Sequence, residues 1–371
     1  MRLHGSFRAV WFLALFLVAA MVGAQSGISQ MSPSYTVVEL GGLSVDSIRI
    51  ARKISAVGHV VGRAGYITGS NTRAVLWNGS VENLGALPGG DYSGAFALND
   101  FGKIVGTSNT ASSVRAFLWT QSTGMSDLGT LPGDSGSEAF DINNRGEVVG
   151  ASGGPSGIRA VLWSSDGSIR SLGRLGEGDF SKAFAINESG VVVGTADTPT
   201  GKHAFLWAPN SGMQDLGTLP GDSSSEALDV NNLGQVVGYS TGTQGSRAFV
   251  WSSNSGMQNL GTLQGGRYSK ALAINNLGLI VGTSGSANGP RAVIWTGIGA
   301  VLDLNNLISP LSPGLTLSEA HCINEVGLIA AISGGGEQAP TAAGDNHDQE
   351  HFYRVFLLSP IQSNGHAHNT Q

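Results

Sequence analysis

This 371-residue sequence predicts an all-β fold, a seven-bladed β-propeller of four-stranded antiparallel blades in which the N-terminal strand closes the last blade. Three observations carry the prediction. A unit recurs at a fixed period: Trp119, Trp163, Trp207, Trp251 and Trp295 stand 44 residues apart, with Trp77 42 before the first. A second marker keeps the same spacing: Asn99, Asn143, Asn187, Asn231 and Asn275, then Asn324 after 49 residues. Such a period belongs to a solenoid, propeller or array. Composition is the third observation. Glycine is 56 of 371 residues and charged residues are only 12%, which means many tight turns and few solvated helices. The glycines are interleaved with Val, Ile, Leu and Phe, so the chain is not a disordered one.

Taken in order, residues 1–24 read as an export signal and are set aside from the fold. Arg2 and Arg8 precede the apolar run Ala9 to Val22, and Val22-Gly23-Ala24 offers small residues for cleavage before Gln25. That run is shorter than the roughly 20 residues a bilayer span needs. Without Arg2 and Arg8, 18 Lys and Arg oppose 26 Asp and Glu, a net charge of −8, which disfavours nucleic acid and anionic membrane as partners. Cys322 is the single cysteine, so no intrachain disulfide can form and stability must come from packing.

Residues 25–34 form a polar leader, expected to be mobile, and the propeller is expected over 35–358. Tyr35 to Leu43 reads as a lone strand of the type that ends the other units. The fifth unit shows the four segments: Ser225 to Asn231, Gln235 to Ser240, Arg247 to Trp251 and Met257 to Leu263. Asn231-Asn232-Leu233-Gly234 between the first two has the residues of a type I hairpin turn. Four antiparallel strands in 44 residues make a propeller blade; solenoid coils are shorter and parallel, which the Asn-x-x-Gly hairpins forbid. First strands such as Ala183-Phe184-Ala185-Ile186 are apolar or small on both faces, so neighbouring blades must cover both. Convergence of blades near the axis accounts for Ala95, Ala139, Ala183, Ala227 and Ala271 in the first strand, and for Gly106, Gly150, Gly194, Gly238 and Gly282 in the second.

First strands number seven, the earliest near Ile48 to Ile54. The last unit stops at its third strand, Arg354 to Leu358, which leaves Tyr35 to Leu43 to pair beside it and close the ring without free edges. Unit seven departs most: Leu358 stands for the Trp, Ala331 for the glycine, Ser309 to Leu317 lengthens the loop leading in, and Gly334 to Glu350 is an insertion expected to be disordered. Ser359 to Gln371 is a polar tail.

The run DLGTLPG, then SxAxxIN, G, VVG and a basic residue before Ala-Phe-Leu-Trp resembles the HAF repeat family of bacterial extracellular repeat proteins, whose name-giving triplet stands here as His203-Ala204-Phe205. The resemblance covers most of residues 82 to 295, and more loosely 35 to 81 and 302 to 358. It implies a secreted, propeller-like repeat protein and carries over no common activity.

Two sets of residues are candidates for binding. A basic residue opens the third strand of every unit: Arg73, Arg115, Arg159, His203, Arg247, Arg291 and Arg354. These could form an electropositive annulus for an acidic ligand; the competing and favoured reading is architectural, each tying a loop to its blade through carbonyls or a nearby Asp. The second set lies on one axial face of a propeller, where the loops leading into first and third strands meet: Asp91, Tyr92, Asp134, Asp179, Phe180, Asp222, Arg267 and Tyr268. Carboxylates with aromatics suit sugars, or calcium through oxygen ligands, whereas Pro-Gly-Asp and Gly-Gly-Asp are also ordinary turn formers.

No catalytic motif is evident. His347-Asp348-Gln349-Glu350-His351 matches a metallopeptidase pattern, but Gly-rich sequence before it and an apparent strand after it leave no room for the helix that zinc chemistry needs. His366 and His368 read as tail residues. There is no P-loop or dinucleotide fingerprint. The expectation is therefore a secreted or periplasmic, monomeric, non-catalytic binding or scaffolding module for a protein or glycan, without cofactor. A carbohydrate-active lyase or hydrolase on the same ring is the alternative. The Trp set is read as packing: Trp207→Ala should lower the unfolding free energy by about 3 to 5 kcal/mol, measured by urea denaturation, and a loss below about 1 kcal/mol would refute burial of that column.

Overall fold

The computed structural model describes residues 34–43, 47–66, 72–309, 316–333 and 354–361. The export signal, most of the leader, the 334–350 insertion, the His347 to His351 motif and His366 and His368 lie outside the described residues. Among those described, no helix is long and apolar enough to cross a membrane.

Seven four-stranded antiparallel sheets are arranged as blades. Blade 1 comprises Ser47–Ile54, Val60–Tyr66, Arg73–Trp77 and Val81–Asn83; the next five repeat this order, with inner strands Ser93–Leu98, Gly136–Ile142, Ser181–Ile186, Asp222–Val230 and Ser269–Ile274. Blade 7 runs Leu317–Ile323, Ile329–Ser333, Arg354–Pro360 and, outermost, Tyr35–Leu40. The N-terminal strand lies antiparallel to the last one, Val37 opposite Leu358 and Leu40 opposite Val355. Closure is thus as expected.

The core lies between blades. One cluster joins Val61, Ala74 and Leu76 of blade 1 to Ala95, Leu98, Phe117 and Trp119 of blade 2, with Leu84 and Leu87 of the connecting loop filling the gap. The fourth strand is shorter than the sequence suggests: in blade 5 it is Gly256–Asn259, not Met257 to Leu263. Asn259 Oδ1 accepts the Gly261 amide at 2.9 Å and Gly261 has a φ of +83°, so the chain leaves the sheet and buries Leu260 completely instead.

Polar side chains stitch the blades. Each Asn that opens a hairpin turn accepts amides of its own turn through Oδ1; for Asn187 the donors are Ser189 and Val191, at 3.0 and 2.9 Å. Its Nδ2 donates to the equivalent carbonyl of the next blade: Asn99 to Asn143 (3.1 Å), Asn143 to Asn187 (3.3 Å), Asn187 to Asn231 (3.0 Å), Asn231 to Asn275 (3.1 Å), Asn275 to Asn324 (3.1 Å) and Asn324 to Ser55 (2.9 Å). The following residue adds a second link, as in Asp100 N to Asn144 Oδ1 at 2.9 Å and Asn232 N to Asn276 Oδ1 at 2.7 Å. Only a short side chain with both a donor and an acceptor can do this work. On the third strands the amides of Ala116, Ala160, Ala204 and Ala248 are met by the hydroxyls of Ser137, Ser181, Ser225 and Ser269 in the next blade, at 2.8 to 3.0 Å.

Every inner strand carries a β-bulge, the register slipping after Ala51, Ala95, Ala139, Ala183, Ala227, Ala271 and Ala320. This changes the reason for the second-strand glycines. They do not serve convergence at the axis: a Cβ on Gly62, Gly106, Gly150, Gly194, Gly238 or Gly282 would fall under 3.0 Å from the inner-strand carbonyl oxygen just before the bulge of its own blade, such as that of Lys182 facing Gly194. The bulge also aims two successive side chains at the axis, where an unbroken strand would aim one.

Deletion of residues 25–43 removes the outer strand of blade 7 and exposes the edge of Arg354–Pro360. The truncated chain should lose its cooperative thermal transition; a melting curve matching the full chain would refute the closure.

Candidate functional site

The bulges build the axial channel. At the bulge position itself stand Arg52, Phe96, Phe140, Phe184, Leu228, Leu272 and His321; one residue on, Lys53, Asp141, Asp229 and Cys322 interrupt a column of alanines. Lys53 crosses the channel, its Nζ 3.5 Å from Asp141 Oδ1 and 3.8 Å from Asp229 Oδ1. The other carboxylate oxygens accept backbone amides of the following blades, Ile186 N on Asp141 and Ile274 N on Asp229, both at 3.0 Å. Asp141 and Asp229 are buried, while 34% of the Lys53 side chain meets the channel space.

The charges are mutually dependent. Burial disfavours the Lys53 ammonium, but Asp141 and Asp229 outweigh it and hold its pKa above the ordinary lysine range. Burial raises the Asp141 pKa, and Lys53 opposes that rise. Cys322 beside them is pushed up to about 12 by burial, so it stays a thiol and is a poor nucleophile at neutral pH.

This plug divides the channel into two cavities. The first, about 170 Å³, opens among the hairpin turns and is rimmed by Asp100, Asn144, Glu188, Asn232, Asn276 and Glu325. The second, about 200 Å³, lies on the other side and is walled by Phe96, Phe140, Phe184, Leu228 and Leu272, with Arg52, His321 and Glu319 completing the circle. The phenylalanines meet edge to face, with centroids 5.5 and 5.4 Å apart. The Arg52 guanidinium lies 5.5 Å from the Phe96 centroid, and its buried Nε has no hydrogen-bond partner among the described residues; nor has His321 Nε2, which is 3.6 Å from Glu319 Oε1. Burial, and then Arg52, lower the His321 pKa against the pull of Glu319.

None of the eight loop candidates lines either cavity. Asp134 and Asp222 are nearly inaccessible beneath Arg159 and Arg247. Asp91 accepts from Asn109 Nδ2 at 2.5 Å, and Asp179, exposed, pairs with Arg174 at 3.3 Å. Phe180 lies under Lys202 Nζ, 3.6 Å from the ring centroid. Tyr92 accepts from Arg63 at 3.1 Å. Arg267 is exposed, and Tyr268 is half-buried against Gly285.

All seven basic residues of the third strands are engaged. Arg73 donates to the Asp91 carbonyl and Arg115 is 3.8 Å from Asp127. Arg159 pairs with Asp134 at 2.7 Å, His203 with Asp215 at 2.9 Å and Arg247 with Asp222 at 2.8 Å. Arg291 is 3.5 Å from Asp303, and Arg354 holds Glu39 of the closing strand.

A third feature was not foreseen. The exposed third residue of the hairpin turn is apolar in consecutive blades from 5 round to 2: Leu233, Leu277, Val326, Val57 and Phe101, four of them strongly exposed and Leu277 half-buried. In blades 3 and 4 it is Arg145 and Ser189. Among the described residues no group of His, Cys, Asp and Glu could hold a metal ion.

Fold and channel together define a seven-bladed propeller, closed by its N-terminal strand and plugged by an ion triad. No family model and no curated protein matches the sequence. Similar solved structures include virginiamycin B lyase from Staphylococcus aureus (TM-score 0.56, 12% identity, 88% of this chain and 100% of that one). Another is the β-propeller domain of the Trilobed protease from Pyrococcus furiosus, an open velcro topology where this ring is closed (0.54, 8%, 89% and 100%). A third is oligogalacturonate lyase from Vibrio parahaemolyticus (0.53, 11%, 87% and 93%). At such identities the likeness is one of fold alone.

Lys53→Met should cost about 1 to 3 kcal/mol at pH 8, below the ~3 to 5 of a dry pair because the channel screens the triad. Without the cation the folded pKa of Asp141, already raised by burial, stands further above the unfolded value of roughly 3.9. A raised folded pKa gives stability that is present at low pH and lost as pH rises through it, so the penalty should shrink toward pH 5. Urea denaturation at both pH values checks this; an equal penalty would refute the coupling.

Proposed function

We propose that this chain is an extracytoplasmic, non-catalytic binding or scaffolding propeller of the HAF repeat type, exported by residues 1–24 and acting as a monomer on a carbohydrate or an envelope protein. The arc of exposed turn tips, Leu233, Val326, Val57 and Phe101, carries the reading. A hairpin turn needs no apolar residue there, and clustered exposed apolar groups mark interaction surfaces. The state of the axial acids agrees with it: Asp141 and Asp229 are engaged with backbone amides and Lys53, leaving neither free to act as general acid or base.

A carbohydrate-active enzyme is the second reading, favoured by one observation, the His321 and Glu319 pair within a single cavity. Residues 25–371 applied to a glycan array and to a panel of purified envelope proteins, with calcium and with chelator, separate the two. Selective binding without product, weakened several-fold by Phe101→Ser with Leu233→Ser, is expected. Product formation from the best glycan would overturn the binding reading in favour of the enzyme.

A further inference from the structure

We infer that the second cavity is a binding site for a small carboxylate with an apolar or aromatic body, its carboxylate taken by Arg52 and His321 and its body laid against Phe96, Phe140 and Phe184. The inference goes beyond the binding reading above, since this cavity lies across the plug from the turn tips that carry that reading.

The donors come first. The buried Arg52 Nε and His321 Nε2 have no hydrogen-bond partner among the described residues, yet buried polar groups are nearly always satisfied, and each exception asks for an explanation. The two residues occupy the same bulge position on adjacent blades 1 and 7 and line the same cavity. A guanidinium offers a planar fork of N–H groups that matches a carboxylate, and a neutral imidazole can add one N–H beside it. Burial keeps His321 neutral at pH 7, so its donation needs no protonation.

The rest of the wall sets the body of the ligand. Five of the seven bulge residues are Phe or Leu, without a polar side-chain atom, so a sugar's hydroxyls would go unmatched along most of the circle. The volume, about 200 Å³, somewhat exceeds the ~150 Å³ that encloses benzene. That suits one ring or short aliphatic chain bearing a carboxylate. Glu319 is the opposing charge: 3.6 Å from His321, it repels a second carboxylate and should limit affinity. The same chemistry occurs in a free acid and in the C-terminal residue of a protein, and the test separates these sources.

The experiment is calorimetry on residues 25–371 with phenylacetate, hexanoate, and pentapeptides ending in Phe as the free acid or the amide. Wild type should bind a carboxylate with a Kd of about 0.1 to 1 mM. Arg52→Leu should weaken it at least about tenfold, and Arg52→Lys should recover only part, because the fork is lost. Glu319→Gln should tighten it several-fold, an effect that a merely structural role would not produce. Melting temperatures of all variants report folding, and Glu319→Gln keeps the test decisive if Arg52→Leu fails to fold. Binding of the free acids alone assigns a small-molecule ligand; binding of the acid peptide and not its amide assigns a chain end. Absence of carboxylate binding to wild type, or affinity unchanged in folded Arg52→Leu and in Glu319→Gln, would overturn the site. Glycan or protein binding that persists beside that result would leave the general binding role intact, whereas conversion of a bound carboxylate would overturn the non-catalytic role and keep the site.

Discussion

The close approach of a bulged inner strand to a glycine in its neighbour is the constraint on which the rest of this ring depends. In each of blades 1 to 6 a carbonyl of the inner strand occupies the place where a Cβ would stand on the second strand. Without that space the inner strand would keep regular alternation, and one side chain of each pair at the axis would turn into the sheet. With it, seven strands deliver two stacked rings of side chains to the channel, and both the ion triad and the aromatic wall are products of that geometry. Blade 7 has Ala331 at the glycine position, opposite Ala320, and keeps the bulge there.

Much of the architecture was legible because propellers repeat their physics. The 44-residue spacing of Trp and Asn reports positions that must do the same work in each blade, and an unpaired strand at the start with an unfinished blade at the end can only mean closure. The axial residues were not legible by the same logic. Their signal is a breach of the repeat: Lys53, Asp141 and Asp229 fall in a column that is otherwise Ala or Cys. Simple alternation would put Phe140 and Asp141 on opposite faces, so a reader without the bulge could not send both to the axis. The loop acids carry the opposite kind of signal. Asp134 and Asp222 recur because turn and arginine need them, and recurrence in a repeat protein reports structure more often than ligand.

Placing three charges on the axis has a cost that shape complementarity does not require, since buried ion groups are frequently no more stabilising than apolar substitutes. What the triad does provide is reach. It joins blades 1, 3 and 5 directly and, through the Ile186 and Ile274 amides, blades 4 and 6. Ordinary blade contacts link only nearest neighbours; here alternate blades are held in a common phase, and the two cavities are kept apart by a partition with no backbone of its own.

Blade 1 is the exception in the stitching. Ser55 stands where the other blades have Asn, so no side-chain amide reaches from it to blade 2, and the turn-to-turn link is Ala56 N to Asp100 Oδ1 at 3.1 Å, the rest of that seam being held by Ala74 N on Ser93 Oγ and by Arg63 on Tyr92. At its other seam, with blade 7, Asn324 alone of the turn residues reaches across among the described residues. Among the hairpin turns, blade 1 is therefore the one tied most sparsely to its neighbours. It also carries Arg52 and Lys53. A displacement of that one inner strand would move two channel cations at once, joining the sparsest stretch of the turn stitching to the polarity of the centre.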